Sequence, residues 1–169
     1  MEMVRENRVP HALMFCGPQG CGKLAMALAF ASFLLGEREE ADAAAAQALP
    51  PMSDDQKRRA CSMLGKWEHP DLHFTFPTIK TSEMSGDHTP VSLDFMKEWR
   101  EMLLQEGPYV LISDWMQRMG KTDADFNKQA IITADEIDNL SRELSMMSSQ
   151  GGYKISLIWL PEQIGRAHV

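Results

Sequence analysis

Seven residues, Gly17-Pro18-Gln19-Gly20-Cys21-Gly22-Lys23, constrain this chain more than any other stretch. They match the spacing G-x-x-x-x-G-K, in which glycines let the backbone curl until successive N–H groups face one point. The following helix offers its positive end there, and the lysine reaches a terminal phosphate. At average glycine and lysine usage, a random chain of this length would hold the bare pattern about once in twenty cases. Context lowers that figure. Ala12-Leu13-Met14-Phe15-Cys16 is a short continuous apolar run of the kind buried on both faces of a parallel sheet, and Gly22 to Leu35 is rich in helix-forming Ala and Leu. The expected order is strand, glycine loop, helix, with Gly17, Gly20, Cys21, Gly22, Lys23 and Leu24 as candidate nucleotide-binding positions.

The rest of the chain continues the alternation of strands and helices. Residues 36–70 read as an insertion, acidic and Ala-rich, broken at Pro50-Pro51 and helical in its second half. Glu37 to Glu40 read as a solvated helix end. Asp71 to Phe76 alternates polar and apolar, which predicts a strand. Ser92 stands where it could cap a helix whose apolar stripe is Leu93, Met96, Trp99 and Leu103, ended by Gly107-Pro108. Tyr109 to Asn127 carries aromatic and Met residues expected to cover one edge of the core. Thr133 and Glu136 have capping-box spacing ahead of a stripe of Ile137, Leu140, Leu144 and Met147. Lys154 to Leu160, KISLIWL, reads as a second strand of the fully buried type. Trp99, Trp115 and Trp159 are expected as core or interface anchors, and Met146-Met147 as gap fillers or a subunit contact.

Two positions in this pattern lack the chemistry that phosphate hydrolysis needs. After the loop lysine a Ser or Thr would hold magnesium, and this chain has Leu24, whose side chain offers no oxygen to a hard cation. A second strand would end in an acidic metal ligand followed by a glutamate that orients water. At the end of the candidate strand stand Trp159 and Leu160, with Glu162 displaced beyond Pro161. The loop is expected to hold a phosphate but to be poorly equipped to hydrolyse one, with no catalytic residue and no magnesium site.

Arg8-Val9-Pro10-His11-Ala12 leading into GPQGCGK resembles the start of the AAA+ domain of bacterial clamp-loader subunits. His69-Pro70-Asp71-Leu72-His73-Phe74, Glu98-Trp99-Arg100 and Tyr153 to Glu162 are similar to the delta-prime group of DNA polymerase III subunits in its Bacteroidetes-type form. The resemblance runs nearly to Glu162. It implies an α/β fold of the P-loop AAA+ type, three-layered with a mainly parallel sheet, and incomplete because later strands, lid and collar are missing. Residues 1–163 would be a partial AAA+ domain, and 164–169, a poor continuation of the pattern, an artefactual tail. The implied function is that of a non-hydrolysing stator in ATP-dependent loading of the sliding clamp onto primed DNA. Implied partners are other clamp-loader subunits, with clamp and DNA met through the assembly, and the implied location is the cytoplasm. ATP or ADP would bind weakly or not at all.

Related subunits often carry a four-cysteine zinc module in the insertion. Gly36 stands at the position of its first ligand and Cys61 at that of its last, with only His69 and His73 nearby, so no zinc is expected. Cys61 is instead expected to pack as a small hydrophobe. The alternative is a catalytically active P-loop ATPase, another AAA+ protein or a nucleotide kinase, which Leu24 and Trp159 argue against.

Composition narrows the remaining classes. With 24 acidic against 17 basic residues and a net charge of -7, the chain is unsuited to coating nucleic acid through bulk charge. No apolar run approaches the roughly 18 residues of a membrane span. Three cysteines without a secretory signal point to a reducing compartment rather than a disulfide framework. A parallel sheet without its later strands would leave an apolar edge unpaired.

Overall fold

The computed structural model describes residues 2–5, 8–36, 51–84, 86–150 and 152–165. The acidic, Ala-rich part of the insertion, including Glu37 to Glu40, lies outside the described residues. The elements are α1 (Glu2–Arg5), α2 (Lys23–Gly36), α3 (Asp54–Leu64), β1 (Leu72–Thr75), α4 (Met96–Gln105), α5 (Ile112–Met119), α6 (Asp123–Phe126), α7 (Ala134–Ser145) and β2 (Ile155–Ile158). Single 3-10 turns at Ser92–Phe95 and Pro161–Gln163 precede α4 and follow β2. The chain divides into two compact units, Met1–Leu72 with Met147–Ile155, and His73–Met146 with Ser156–Val169.

In the first unit α2 packs on α3. Leu24, Leu28, Ala31 and Leu35 recur at helical spacing and are buried, as are Ala60 and Leu64 of α3. Gly36 permits the close approach, since a Cβ there would stand 3.1 Å from Cδ1 of Leu64. Ser53 starts α3 with a full capping box: its hydroxyl accepts from the Gln56 N–H at 3.3 Å, and the Gln56 side chain accepts from the Ser53 N–H at 2.8 Å. Before β1, buried Asp71 accepts from the N–H groups of Ser149 (2.6 Å) and Gln150 (3.0 Å) and from the Ser148 hydroxyl (3.2 Å). Its carbonyl accepts from Ile155 at 2.8 Å. One residue thus fixes where β2 begins.

In the second unit Trp99, fully buried, is the centre of an aromatic cluster. Phe76 stacks on it at 4.4 Å between ring centroids, Trp115 meets it edge-on at 5.2 Å, and Trp159 and Phe74 lie at 5.2 and 6.0 Å. The Trp115 indole N–H donates to the carbonyl of Pro77 at 2.8 Å. That of Trp99 has no acceptor among the described residues. Buried Asp125 accepts from the Ser82 and Lys121 N–H groups and from the Lys128 ammonium at 2.7 Å. Those contacts, Lys128 foremost, hold its carboxyl far below the usual carboxylate range.

β1 and β2 pair with each other in a two-stranded sheet, and the bonds Ile155 to Asp71 and Trp159 to Thr75 show the pairing to be parallel. The α/β class and parallel pairing expected from sequence are present on this small scale. Isolated bridges join Thr78 to Ile131 and Ile132 to Ile164, so Ile164 and Gly165 are bonded into the second unit through Ile132.

Several expectations are corrected. Ala12 to Cys16 forms no strand, and Leu13, Met14 and Phe15 are exposed, Met14 by 80%; an apolar run becomes a strand only where a ladder partner exists, and none is present among the described residues. Of Lys154 to Leu160 only Ile155–Ile158 is strand, and it is half-buried rather than fully buried, with Leu157 inside and Ile158 exposed, as a two-stranded sheet dictates. Ser92 does not cap α4; its hydroxyl accepts from the Phe76 N–H at 3.0 Å while a 3-10 turn opens the helix. Leu93 is exposed.

Thr133 does cap α7, accepting from the Glu136 N–H at 3.3 Å. The Glu136 side chain, however, turns inward instead of back to Thr133. It accepts from the Thr75 hydroxyl at 3.1 Å and the Ser92 N–H at 2.8 Å, two buried donors that outbid a solvated cap. The stripe Ile137, Leu140, Leu144 and Met147 is not buried, and Met147 is 92% exposed. Cys61 is exposed rather than packed in the core.

Two outcomes are expected from this packing. Glu136→Ala leaves the Ser92 N–H and Thr75 hydroxyl buried without an acceptor and should lower stability by about 2–3 kcal/mol, read from urea unfolding. His69 is buried and its Nδ1 accepts from the Asp71 N–H at 3.1 Å. Burial lowers its pKa below 6.5, outweighing the opposing pull of Asp71. In the folded state the ring therefore binds its proton less readily than in the unfolded chain. Its stability contribution is complete above pH 6.5 and is lost as pH falls from there through the lowered folded value. His69→Asn, whose side-chain oxygen can take the same hydrogen bond, should flatten the loss of stability between pH 6.5 and 5.5 relative to the native chain; an unchanged slope would exclude His69 as its source.

Candidate phosphate-binding loop

Gly17 to Lys23 forms an exposed loop that ends at the first residue of α2. Gly20 and Gly22 have φ of 79° and 87°, the left-handed region that a side chain disfavours, and so turn the chain into the helix. The Met26 N–H donates to the Gly22 carbonyl at 2.9 Å, starting the helical ladder. Cys21 folds back so that its sulfur lies 2.7 Å from where a Cβ on Gly17 would stand. The Lys23 ammonium donates to the carbonyls of both Gly17 and Pro18 at 2.8 Å. Five of the six sequence-predicted positions, Gly17, Gly20, Cys21, Gly22 and Lys23, thus share one loop, with Leu24 apart from them in the buried face of α2, and the loop's cation is turned onto its own backbone.

Leu24 is 8% exposed and belongs to the stripe that α2 buries. The position that would supply a metal-binding hydroxyl is here committed to packing. In the second unit, Trp159 donates its N–H to the Thr75 carbonyl at 2.8 Å and sets its ring against Trp99. Leu160 takes φ 55° and ψ 58°, a left-handed conformation that costs a non-glycine residue about 1–2 kcal/mol, and it turns the chain out of β2 into the 3-10 turn where Glu162 is exposed. Neither Trp159 nor Leu160 offers oxygen to a metal. Among the described residues no group of three or more His, Cys, Asp and Glu could hold a metal ion.

Gly36 and Cys61 face each other, with the Cys61 sulfur 3.6 Å from the position a Gly36 Cβ would take. The expected ends of the degenerate zinc module therefore meet in space, and one of the two has no side chain. Sequence reasoning missed the three buried carboxylates, Asp71, Asp125 and Glu136. The only signal for any of them was the capping-box spacing of Glu136, which pointed to a different partner. In the second unit an open hollow of about 760 Å³ is lined by Ile112, Met116, Phe126 and Lys128 among others. The Lys128 ammonium is already engaged by Asp125 and by the Lys80 carbonyl, so the hollow carries no unspent charge from that residue.

Comparison with protein families finds one whose model, described as DNA polymerase III, delta subunit, matches residues 1–167. No curated protein and no solved structure matches the chain. Among the described residues no helix is long and apolar enough to cross a membrane.

If Leu24 is a core residue, restoring the missing hydroxyl should cost stability. Leu24→Thr should lower the unfolding free energy by about 2 kcal/mol through lost apolar burial and a buried hydroxyl. Thermal or urea unfolding of the two chains checks this; an unchanged midpoint would show that position 24 is free to serve a ligand.

Proposed function

The chain belongs to the DNA polymerase III, delta subunit family, and on that premise we propose that it acts as a delta-prime-type clamp-loader subunit, a non-hydrolysing stator. Its work in this reading is mechanical. It braces neighbouring subunits while ATP bound elsewhere drives the sliding clamp open for loading onto primed DNA, in the cytoplasm, and it meets clamp and DNA through the assembled complex.

The observation that carries the reading is the use made of the two positions where hydrolysis would need oxygen ligands. Leu24 is in the core under α2, and Trp159 is packed against Trp99. Both are apolar, and each is held by its own unit's packing, so neither can be swapped for a metal ligand without loss elsewhere. Phosphate contact is supported by Gly20, Gly22, Cys21 and Lys23 on the exposed loop, but the Lys23 ammonium is already bonded to two carbonyls. Nucleotide binding by this loop is accordingly proposed to be weak.

The test is phosphate release from ATP with and without magnesium, run beside equilibrium binding of a labelled nucleotide. The expected result is no magnesium-dependent turnover above a no-protein control, and binding at most weak and reduced further by Lys23→Ala. Steady magnesium-dependent release that Lys23→Ala abolishes would overturn the stator reading in favour of an active P-loop ATPase.

A further inference from the structure

Two of the chain's three thiols bracket the glycine loop, and their placement is independent of whether the loop binds a nucleotide. Cys16 directly precedes Gly17, and Cys21 precedes Gly22; both are exposed. The Cys21 sulfur lies 2.7 Å from the point a Gly17 Cβ would occupy. The thiol therefore rests on the α-carbon of the residue bonded to Cys16. One trans peptide step more places the Cys16 α-carbon within about 8 Å of that sulfur. Glycine at position 17 is what leaves the space clear, because any side chain there would stand against the Cys21 sulfur. A disulfide needs α-carbons about 4.4–6.8 Å apart, and the left-handed glycines at 20 and 22 are the residues best able to absorb the backbone movement that closure requires.

We propose that Cys16 and Cys21 form a redox-sensitive thiol pair that a peroxide-class oxidant closes into a disulfide across the base of the loop. One thiolate attacks a peroxide oxygen; the O–O bond breaks, a sulfenic acid forms, and hydroxide leaves and is protonated to water. The second thiolate attacks that sulfur; the S–S bond forms, the S–O bond breaks, and a second water leaves. Two thiols and one hydrogen peroxide give one disulfide and two waters. The third thiol, Cys61, sits on α3 beside Gly36 and takes no part. Closure ties Cys21 to the residue before Gly17, next to the Gly17 and Pro18 carbonyls that accept from Lys23.

The chain lends itself to a direct test, because tryptic cleavage after Arg8 and Lys23 releases a peptide, Val9–Lys23, that holds Cys16 and Cys21 but not Cys61. After hydrogen peroxide treatment of the folded chain and alkylation, this peptide should lose two hydrogens and carry no label, with Cys61 alkylated in full. Oxidation of Met14 adds one oxygen and is read separately. Cys16→Ser and Cys21→Ser should each abolish the two-hydrogen loss. The effective concentration of the pair, measured against glutathione, should be roughly ten-fold higher in the native chain than in guanidinium chloride, because the fold holds the thiols together. An effective concentration in the native chain equal to or below the denatured value would overturn the proposal. So would separate oxidation of the two cysteines to sulfinic or sulfonic acids, or linkage of either to Cys61 or to a second chain.

Discussion

The second unit depends on one ring. Trp99 is fully buried, and four aromatic residues meet it, Phe74 and Phe76 from β1 and the residues after it, Trp115 from α5, and Trp159 from the end of β2, while Phe95 joins the cluster through Trp115. A two-stranded sheet is marginal in water by itself. It persists when a helix covers it with enough apolar surface, and aromatic side chains bury on the order of 150–250 Å² each. The indole N–H of Trp99, for which no acceptor stands among the described residues, is the cost of placing so large a polar-tipped ring at the centre. The stacking and edge contacts around it outweigh that cost. Position 159 is thereby fixed as a packing site, and its chemistry follows from that role.

Three carboxylates do for the loops what the rings do for the core. Asp71, Asp125 and Glu136 are buried, and each accepts from at least one main-chain N–H together with a hydroxyl or an ammonium. An unpaired buried carboxylate is costly, while one that accepts several hydrogen bonds holds several segments at once. Asp71 sets the approach to β2, Glu136 joins the ends of β1, α4 and α7, and Asp125 gathers Ser82, Lys121 and Lys128. Their value is positional. None belongs to a group of three or more His, Cys, Asp and Glu that could hold a metal ion among the described residues.

Legibility from sequence followed how local each signal was. The helices at Lys23–Gly36, Asp54–Leu64 and Ala134–Ser145 were readable because periodicity, caps and breakers all lie within a few residues of the element. The two strands were readable as strands, but their burial was not, because burial is set by how many partners a sheet has. Ala12 to Cys16 failed for the same reason: an apolar run says what a segment prefers, whereas a ladder needs a neighbour. Glu136 shows a finer failure. Spacing located its backbone at the start of α7, yet its side chain answered donors 44 and 61 positions away in sequence, which no local pattern encodes. Of the candidate loop, the glycine turn and the helix after it were legible, since Gly20 and Gly22 carry their geometry with them, whereas the strand expected before it is not formed. What the sequence could not foresee was where the lysine points.

That orientation bears on what holds the glycine loop in place. Gly20 and Gly22 supply the turn, Gly22 offers its carbonyl to the first bond of α2, and Lys23 satisfies two carbonyls that would otherwise face water. The loop's lysine is therefore fully engaged without any ligand. An incoming phosphate would have to exchange two charge-assisted bonds of the lysine for its own, so the gain from the lysine is only the difference between them. In a loop followed by Ser or Thr, a magnesium ion would add to that difference. Here the next side chain is buried Leu24, and nothing at that position adds to it. A loop built this way is held by its own backbone and by the helix it begins, and its sequence is constrained by folding even where ligand binding contributes little.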